Sequence, residues 1–262
     1  MSATVHPAAI VESGARLGDG VTVGPWAYVG AGVEIGAGTR VAHHAVVDGN
    51  TVIGMECELF PYACIGLRTQ DLKYRGGSPG LRVGDRNVFR EFCTVHTATA
   101  DGDVTVIGDD NHFLAYSHVA HDCRIGSHVI LSNAATLAGH VEVEDYAVFG
   151  GLSGAHQFCR IGARAMIGGC SKVVQDVPPY MIADGNPAVV RSYNKVGLER
   201  AGFEADQIDR IKRAYRILYR SGLNRSQAVE AMEAENLREY PETARFFDFE
   251  IRSGRGFLPG AK

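Results

Sequence analysis

The sequence predicts a mainly β protein: a parallel β-helix of hexapeptide repeats followed by a small helical domain. Three observations carry this prediction. One apolar residue recurs at every sixth position over most of the chain, 32 glycines stand against nine prolines, and the spacing of apolar residues turns helical beyond Asn194.

The period comes first. Every sixth residue from Val5 reads Val5, Val11, Leu17, Val23, Val29, Ile35, Val41, Val47, Ile53, Leu59 and Ile65. The same phase resumes at Val83, Phe89 and Val95, then runs from Ile107 through Phe113, Val119, Ile125, Leu131, Leu137, Val143, Phe149, Ala155, Ile161 and Ile167 to Val173. Only three positions of the series, Asp71, Gly77 and Asp101, are not apolar. Small residues follow many of the apolar ones, as in "VGAGVE" and "IGARAM". An inward apolar residue every six, with small residues at the tight corners beside it, makes one side of a triangular prism. Three hexads make a coil of eighteen residues, and neighbouring coils stack their apolar residues into one core. Ordinary strands joined by glycine turns do not hold one phase for so long.

The prism is expected over residues 1–190, with excursions near 67–80 and 96–105, and the helical domain over 191–262. The excursions "LRTQDLKYRGGSPG" and "HTATADGDVT" are rich in Gly, Asp, Thr or Lys and should loop outward. From about Pro178 the period ends. Ile208, Ile211, Ala214, Tyr215 and Leu218 then fall at helical spacing and Gly222 stops that helix, while Pro241 suits the first turn of a later one.

Composition removes several function classes. A net charge of −4 gives no general basic field for nucleic acid. The start "MSATVHPAAIVESG" has no basic and apolar leader pattern, and no segment has the apolar length of a membrane span, so a cytoplasmic protein without an integral membrane segment is expected. Six cysteines without a C-x-x-C pair argue against a zinc knuckle and against a disulfide framework.

The stretch "SHVAHDCRIG", residues 117–126, sets two histidines and an aspartate in an otherwise apolar run. Residues eighteen apart lie above one another, so His121 falls under Gly139 and Gly139 under Gln157. His140 stands beside that column above Asp122, and His156 stands one residue before it. A lone histidine in a repeat is most often structural, but three on successive coils with an adjacent carboxylate point to a site. A histidine held by a second group is the usual general base, and an unobstructed glycine N–H is a suitable oxyanion donor. Acyl transfer fits this set. The alternative is zinc held by three of His118, His121, His140 and His156, as in gamma-class carbonic anhydrases. Against it, His118 and His121 should point to opposite sides of an extended strand unless a turn intervenes.

From Val5 to Gly256 the residues resemble the UDP-N-acetylglucosamine O-acyltransferase family, through "QDLKY", "AHDC", "NAATLAGHVEVEDYA", "GAHQFCRIGARAMIGGCS", "QDVPPYMIADGNP" and "GLERAGF". The resemblance implies a left-handed prism and a homotrimer with sites between neighbouring prisms. It implies transfer of an R-3-hydroxyacyl group from acyl carrier protein to the 3-hydroxyl of UDP-N-acetylglucosamine, opening lipid A synthesis, with no cofactor and no metal. It makes His121 the base, Asp122 its orienting partner and Gly139 the oxyanion donor. His118, His140, His156 and Gln157 would bind substrate, His140 and Gln157 on the sugar and His156 on the acyl or pantetheine side. Asp71 and Lys73 would reach the nucleotide-sugar across the subunit boundary, and Asn194 and Arg200 would meet the UDP portion. Gly169 would leave the acyl groove open for a chain of about fourteen carbons rather than about ten. Arg160, Arg164 and Lys172 would form a basic patch for the acidic carrier protein. Pro187 and Val196 depart from the family pattern, at the groove's end and beside the nucleotide. Two other readings stand beside this one: an acetyl-CoA-dependent hexapeptide acetyltransferase, and a scaffold whose helical tail is a docking unit.

Overall fold

In the computed structural model, which describes residues 2–261, three sheets of eleven, nine and eight strands, parallel but for the last strand of the first, form the faces of a prism. The first face begins with Thr4–Val5, the second with Ile10–Val11 and the third with Arg16–Leu17. Thr4 pairs with Thr22, Ile10 with Tyr28 and Arg16 with Glu34, the register of an eighteen-residue coil. Within each two-residue strand the first side chain faces out and the second faces in, as expected for a pleat of period two. The inward series of the sequence is therefore the core: Val23, Val41, Leu59, Phe89, Phe113, Leu131, Phe149 and Ile167 are all buried along the first face. Each such side chain contributes roughly 1.5–3 kcal/mol when removed from water.

Both excursions leave the second face and return to the third, after Leu67 and after His96. Ile53 pairs with Val83 and Val83 with Ile107, so these two turns of the prism take thirty and twenty-four residues. The surplus is a whole number of hexads in each case, which is why the apolar phase survives both loops. Glycine packs where coils meet most closely: a Cβ on Gly36 would stand 2.5 Å from the carbonyl carbon of Gly54. The corners are left-handed, and non-glycine residues occupy many of them, including Asp122 (φ 59°), His140 (φ 59°) and Phe158 (φ 64°). That conformation costs roughly 1–2 kcal/mol for an ordinary residue. Inter-coil hydrogen bonds offset it: His140 N donates to His121 O at 3.0 Å, and Phe158 N to Gly139 O at 3.2 Å.

The prism closes where the register changes. Met166 pairs with Ile182, and the strand Met181–Gly185 turns back antiparallel along Ala188–Tyr193. Four helices follow: α1 (Lys195–Arg200), α2 (Ala205–Arg220), α3 (Arg225–Ala234) and α4 (Pro241–Ile251). Asn194 caps α1, reciprocal bonds between Glu204 and Gln207 cap α2, and Pro241 opens α4. The anticipated apolar face of α2 is buried at Ile208, Ile211, Ala214 and Tyr215, with Leu218 partly so. The chain end is tied back onto the prism. Asp176 pairs with Phe257 and Val190 with Gly260, and Ser253 Oγ donates to the buried Asp176 carboxylate at 2.6 Å. Among the described residues no helix is long and apolar enough to cross a membrane.

Candidate active site

The corner between the second and third faces carries the histidine column. The strand His118–Val119 pairs above with Thr136–Leu137 and then with Gly154–Ala155, which places residues 121, 139 and 157 in one line. The contact is closer than stacking alone requires. A Cβ on Gly139 would lie 2.3 Å from His121 Cε1 and 2.5 Å from Nε2, so the imidazole occupies the space a side chain would need. Among the described residues the Gly139 N–H donates to no protein acceptor.

His121 Nδ1 donates to Asp122 Oδ2 at 2.7 Å, with both side chains largely covered. This bond leaves the lone pair on Nε2. The Asp122 carboxylate is itself held, its Oδ1 accepting from Thr99 N at 3.4 Å while Asp122 N donates to Thr105 Oγ1 at 2.9 Å. Aspartate tolerates this left-handed corner better than most residues, which suits it to hold the neighbouring ring. His140 Nε2 stands 3.7 Å from the same Oδ2, and its ring stacks on Phe158 at 4.6 Å.

The first excursion folds over this corner. Asp71 Oδ2 lies 3.8 Å from His121 Nε2, on the side opposite Asp122. The Asp71 carboxyl is held below its ordinary range, chiefly by the hydrogen bond it accepts from Lys73 N, with the nearby imidazoles adding to the effect. A cavity of about 740 Å³ results, lined by Asp71, Leu72, Lys73, His96, His118, His121, Gly139 and Gln157 among others. An adjoining hollow is lined by Asp71, Lys73, Arg75, Asp122 and His140.

His118 and His121 line one cavity, the chain turning the corner at 121–122 where an uninterrupted extended strand would have parted them. His118 Nδ1 is also engaged by Thr94 Oγ1 at 2.7 Å. Among the described residues the cluster with ligand atoms within 4.8 Å of one another is His121, Asp122 and His140, two imidazoles and a carboxylate rather than three imidazoles. Asp71 and Lys73 line the His121 cavity within the chain itself, and a role across a subunit boundary stays a matter of the assembly. His156 is exposed and does not itself line the cavity, although its Nδ1 lies 3.3 Å from the carbonyl of Gln157, which does.

The basic patch dissolves into three separate places. Arg160 is buried on the third face, donating to Glu142, Glu144 and the Phe249 carbonyl, so it cannot meet a partner. Arg164 stands at the corner of the third and first faces, over the rings of Tyr146 and Phe203. Lys172 is exposed on the second face, beside Gly154 and in line with His118. Asn194 stands near Arg164, capping α1 through Gly197 N and donating to Arg164 O at 3.0 Å, and Arg200 lies exposed at the end of α1. Gly169 belongs to the remaining edge, where an added Cβ would meet only Gly151 O at 3.4 Å. Within one chain Arg164, Asn194 and Gly169 stand at edges of the prism other than that of His121.

His96 was not anticipated. It is 5% exposed, its ring lies edge-on to that of His118 at 4.9 Å, and its Nδ1 has no hydrogen-bond partner. Burial pushes its pKa down to about 4, and burial also lowers that of His118.

Comparisons with known proteins agree with the geometry. The second-domain profile of the UDP-N-acetylglucosamine O-acyltransferases matches residues 176–258, and the bacterial transferase hexapeptide profile matches 14–49 and 105–139. The acyl-[acyl-carrier-protein]--UDP-N-acetylglucosamine O-acyltransferase of Verminephrobacter eiseniae is 53% identical over 92% of this chain and 92% of its own. The enzyme of the same name from Burkholderia orbicola is 49% identical over 97% of this chain and 98% of its own. The crystal structure of the Francisella novicida UDP-N-acetylglucosamine acyltransferase superposes with a TM-score of 0.96 at 36% identity, covering 99% of this chain and 95% of that one.

Proposed function

Because the chain belongs to the UDP-N-acetylglucosamine O-acyltransferase family, we propose that it transfers an R-3-hydroxyacyl group from acyl carrier protein to the glucosamine 3-hydroxyl of UDP-N-acetylglucosamine, the first step of lipid A biosynthesis. The observation that carries this reading is the His121–Asp122 pair pressed against Gly139 at one covered corner.

The chemistry follows from the proton positions. Asp122 holds the His121 proton on Nδ1, so the Nε2 lone pair takes the proton of the acceptor hydroxyl as its oxygen attacks the thioester carbonyl. The tetrahedral oxyanion needs a donor, and the Gly139 N–H is beside the ring and otherwise unengaged. Collapse expels the carrier thiolate, which recovers the proton from His121. The imidazolium formed in between lies between the Asp122 and Asp71 carboxylates. Lys73, His140 and Gln157 border the space left for the sugar and nucleotide. No metal or cofactor is required by these steps.

The UDP-binding groups Asn194 and Arg200, and the chain-length position Gly169, stand on other edges of the same chain. We infer a homotrimer in which a neighbouring prism brings them to the His121 corner. Residence in the cytoplasm follows from the need for acyl carrier protein and a nucleotide-sugar. The test is a turnover assay on the purified protein with UDP-N-acetylglucosamine and carrier proteins bearing a ladder of 3-hydroxyacyl chains, with acetyl-CoA as the competing donor. Transfer from a hydroxyacyl carrier protein supports the reading. Transfer from acetyl-CoA alone replaces it with an acetyltransferase, and no thioester consumption replaces it with a scaffold.

A further inference from the structure

His96 is a polar group that neither the fold nor the steps above account for. It begins the second excursion, where the thirty-residue register of this turn slips by one and Leu67 becomes its strand partner. Its side chain stabilises nothing visible by hydrogen bonding, since Nδ1 is sealed from solvent without a partner. Leaving a buried polar atom unpaired costs roughly 1–3 kcal/mol, and a lone pair is the less costly atom to orphan than an N–H. The ring proton therefore belongs on Nε2. With Nδ1 sealed, the part of His96 that borders the His121 cavity is the rest of the ring, so this neutral N–H is the polar group the residue has to offer there.

The surroundings define what could accept it. His118 meets His96 edge-on, and its Nδ1 is already engaged by Thr94. Burial keeps both imidazoles uncharged in the neutral range. A phosphate or carboxylate would call for cations, whereas uncharged donors suit a neutral oxygen. His96 lies one coil on the opposite side of the His121 corner from Gly139, and coils are about 4.8 Å apart. An oxygen a few bonds along the donor from its carbonyl is placed to span that interval.

We propose that His96 is a specificity-determining residue that reads the 3-hydroxyl of the acyl donor by donating a neutral imidazole N–H to its oxygen. This rests on the function proposed above and adds the group that distinguishes a hydroxyacyl donor from a plain acyl donor. A site built around a hydrogen bond to a hydroxyl discriminates strongly against the analogue that lacks it, because its own polar group is then left unpaired.

The experiment compares kcat/KM for R-3-hydroxyacyl and unsubstituted acyl carrier proteins of equal length in wild type, His96→Phe and His96→Gln. Wild-type turnover of the hydroxyacyl donor tests the function itself, independently of His96. His96→Phe should lower the hydroxyacyl-to-acyl ratio at least tenfold, with the plain acyl rate kept within a few-fold, and His96→Gln, which retains an N–H donor, should recover part of it. An equal fall for both donors would reduce His96 to a structural residue and overturn the proposal. A change in KM for UDP-N-acetylglucosamine with the donor ratio intact would assign the residue to the acceptor and overturn it as well. A measurement on the wild-type protein stands if the variants do not fold. The His96 imidazole ¹⁵N resonances should shift with 3-hydroxyacyl pantetheine and not with acyl pantetheine, and equal shifts or none would contradict the assignment.

Discussion

Replacing Gly139 by alanine separates the steric role of the glycine from its backbone N–H. Gly139 lies outside the left-handed region, so an alanine there meets no backbone strain. Its methyl group would, however, stand 2.3 Å from His121 Cε1 and 2.5 Å from Nε2, against 3.4–4 Å for ordinary contact. The imidazole must withdraw by about 1 Å or rotate, and the 2.7 Å bond from Nδ1 to Asp122 must lengthen or bend with it. Past about 3.6 Å that bond no longer exists as a hydrogen bond. A displacement of about 1 Å in a reacting group costs on the order of 10²-fold in rate. The expected result is therefore a kcat about 10² below wild type, with the unfolding temperature nearly unchanged because the corner is partly open to the cavity. Steady-state acyl transfer and thermal unfolding measured on the same preparation decide it. A Gly139→Ala protein that keeps kcat within about threefold of wild type would refute the view that the glycine exists to seat the base.

Other outcomes follow from the same coordinates. His96 titrates near 4 when folded and near 6.5 when unfolded, so the unfolded chain binds the extra proton between those values. Its contribution is complete above about pH 6.5 and is lost as pH falls, by about 1.4 kcal/mol per unit and about 3 kcal/mol in all. Urea unfolding at pH 7 and pH 5 should show about 2 kcal/mol of this loss in wild type and less in His96→Phe. Gly169→Met meets no contact closer than 3.4 Å at Cβ, so the fold should persist while the preferred donor shortens from about fourteen to about ten carbons. Four excluded methylenes correspond to about 3 kcal/mol, on the order of a hundredfold in relative kcat/KM. Arg160→Met should lower stability by about 1–3 kcal/mol without altering KM for the carrier protein, whereas Lys172→Glu should raise that KM and leave the unfolding temperature alone.

The legibility of the chain has physical limits that fall at identifiable residues. The prism could be read because its core is set by one residue in six, and because both excursions insert whole hexads, so Val83 and Ile107 stay in phase with Ile53. The His121 column could be read because eighteen-residue stacking holds without interruption from His118 to Lys172. His96 escaped because it sits where that arithmetic fails, opposite Leu67 at an irregularity in the ladder. Arg160 has the alternation of an outward residue, and only the return of α4 across the third face buries it. Asn194 and Gly169 stand on other edges of the same chain, and only the proposed assembly of copies would bring them to His121, which hexad counting within one chain does not reach.

The central claim is that His121, aligned by Asp122, removes the acceptor proton. The most direct measurement is kcat for transfer from a 3-hydroxyacyl carrier protein to UDP-N-acetylglucosamine by His121→Ala, with folding checked by thermal unfolding. The ring lies outside the apolar stack, so the prism should persist while kcat falls on the order of 10²–10⁴-fold. A folded His121→Ala protein that retains most of its turnover would contradict the account.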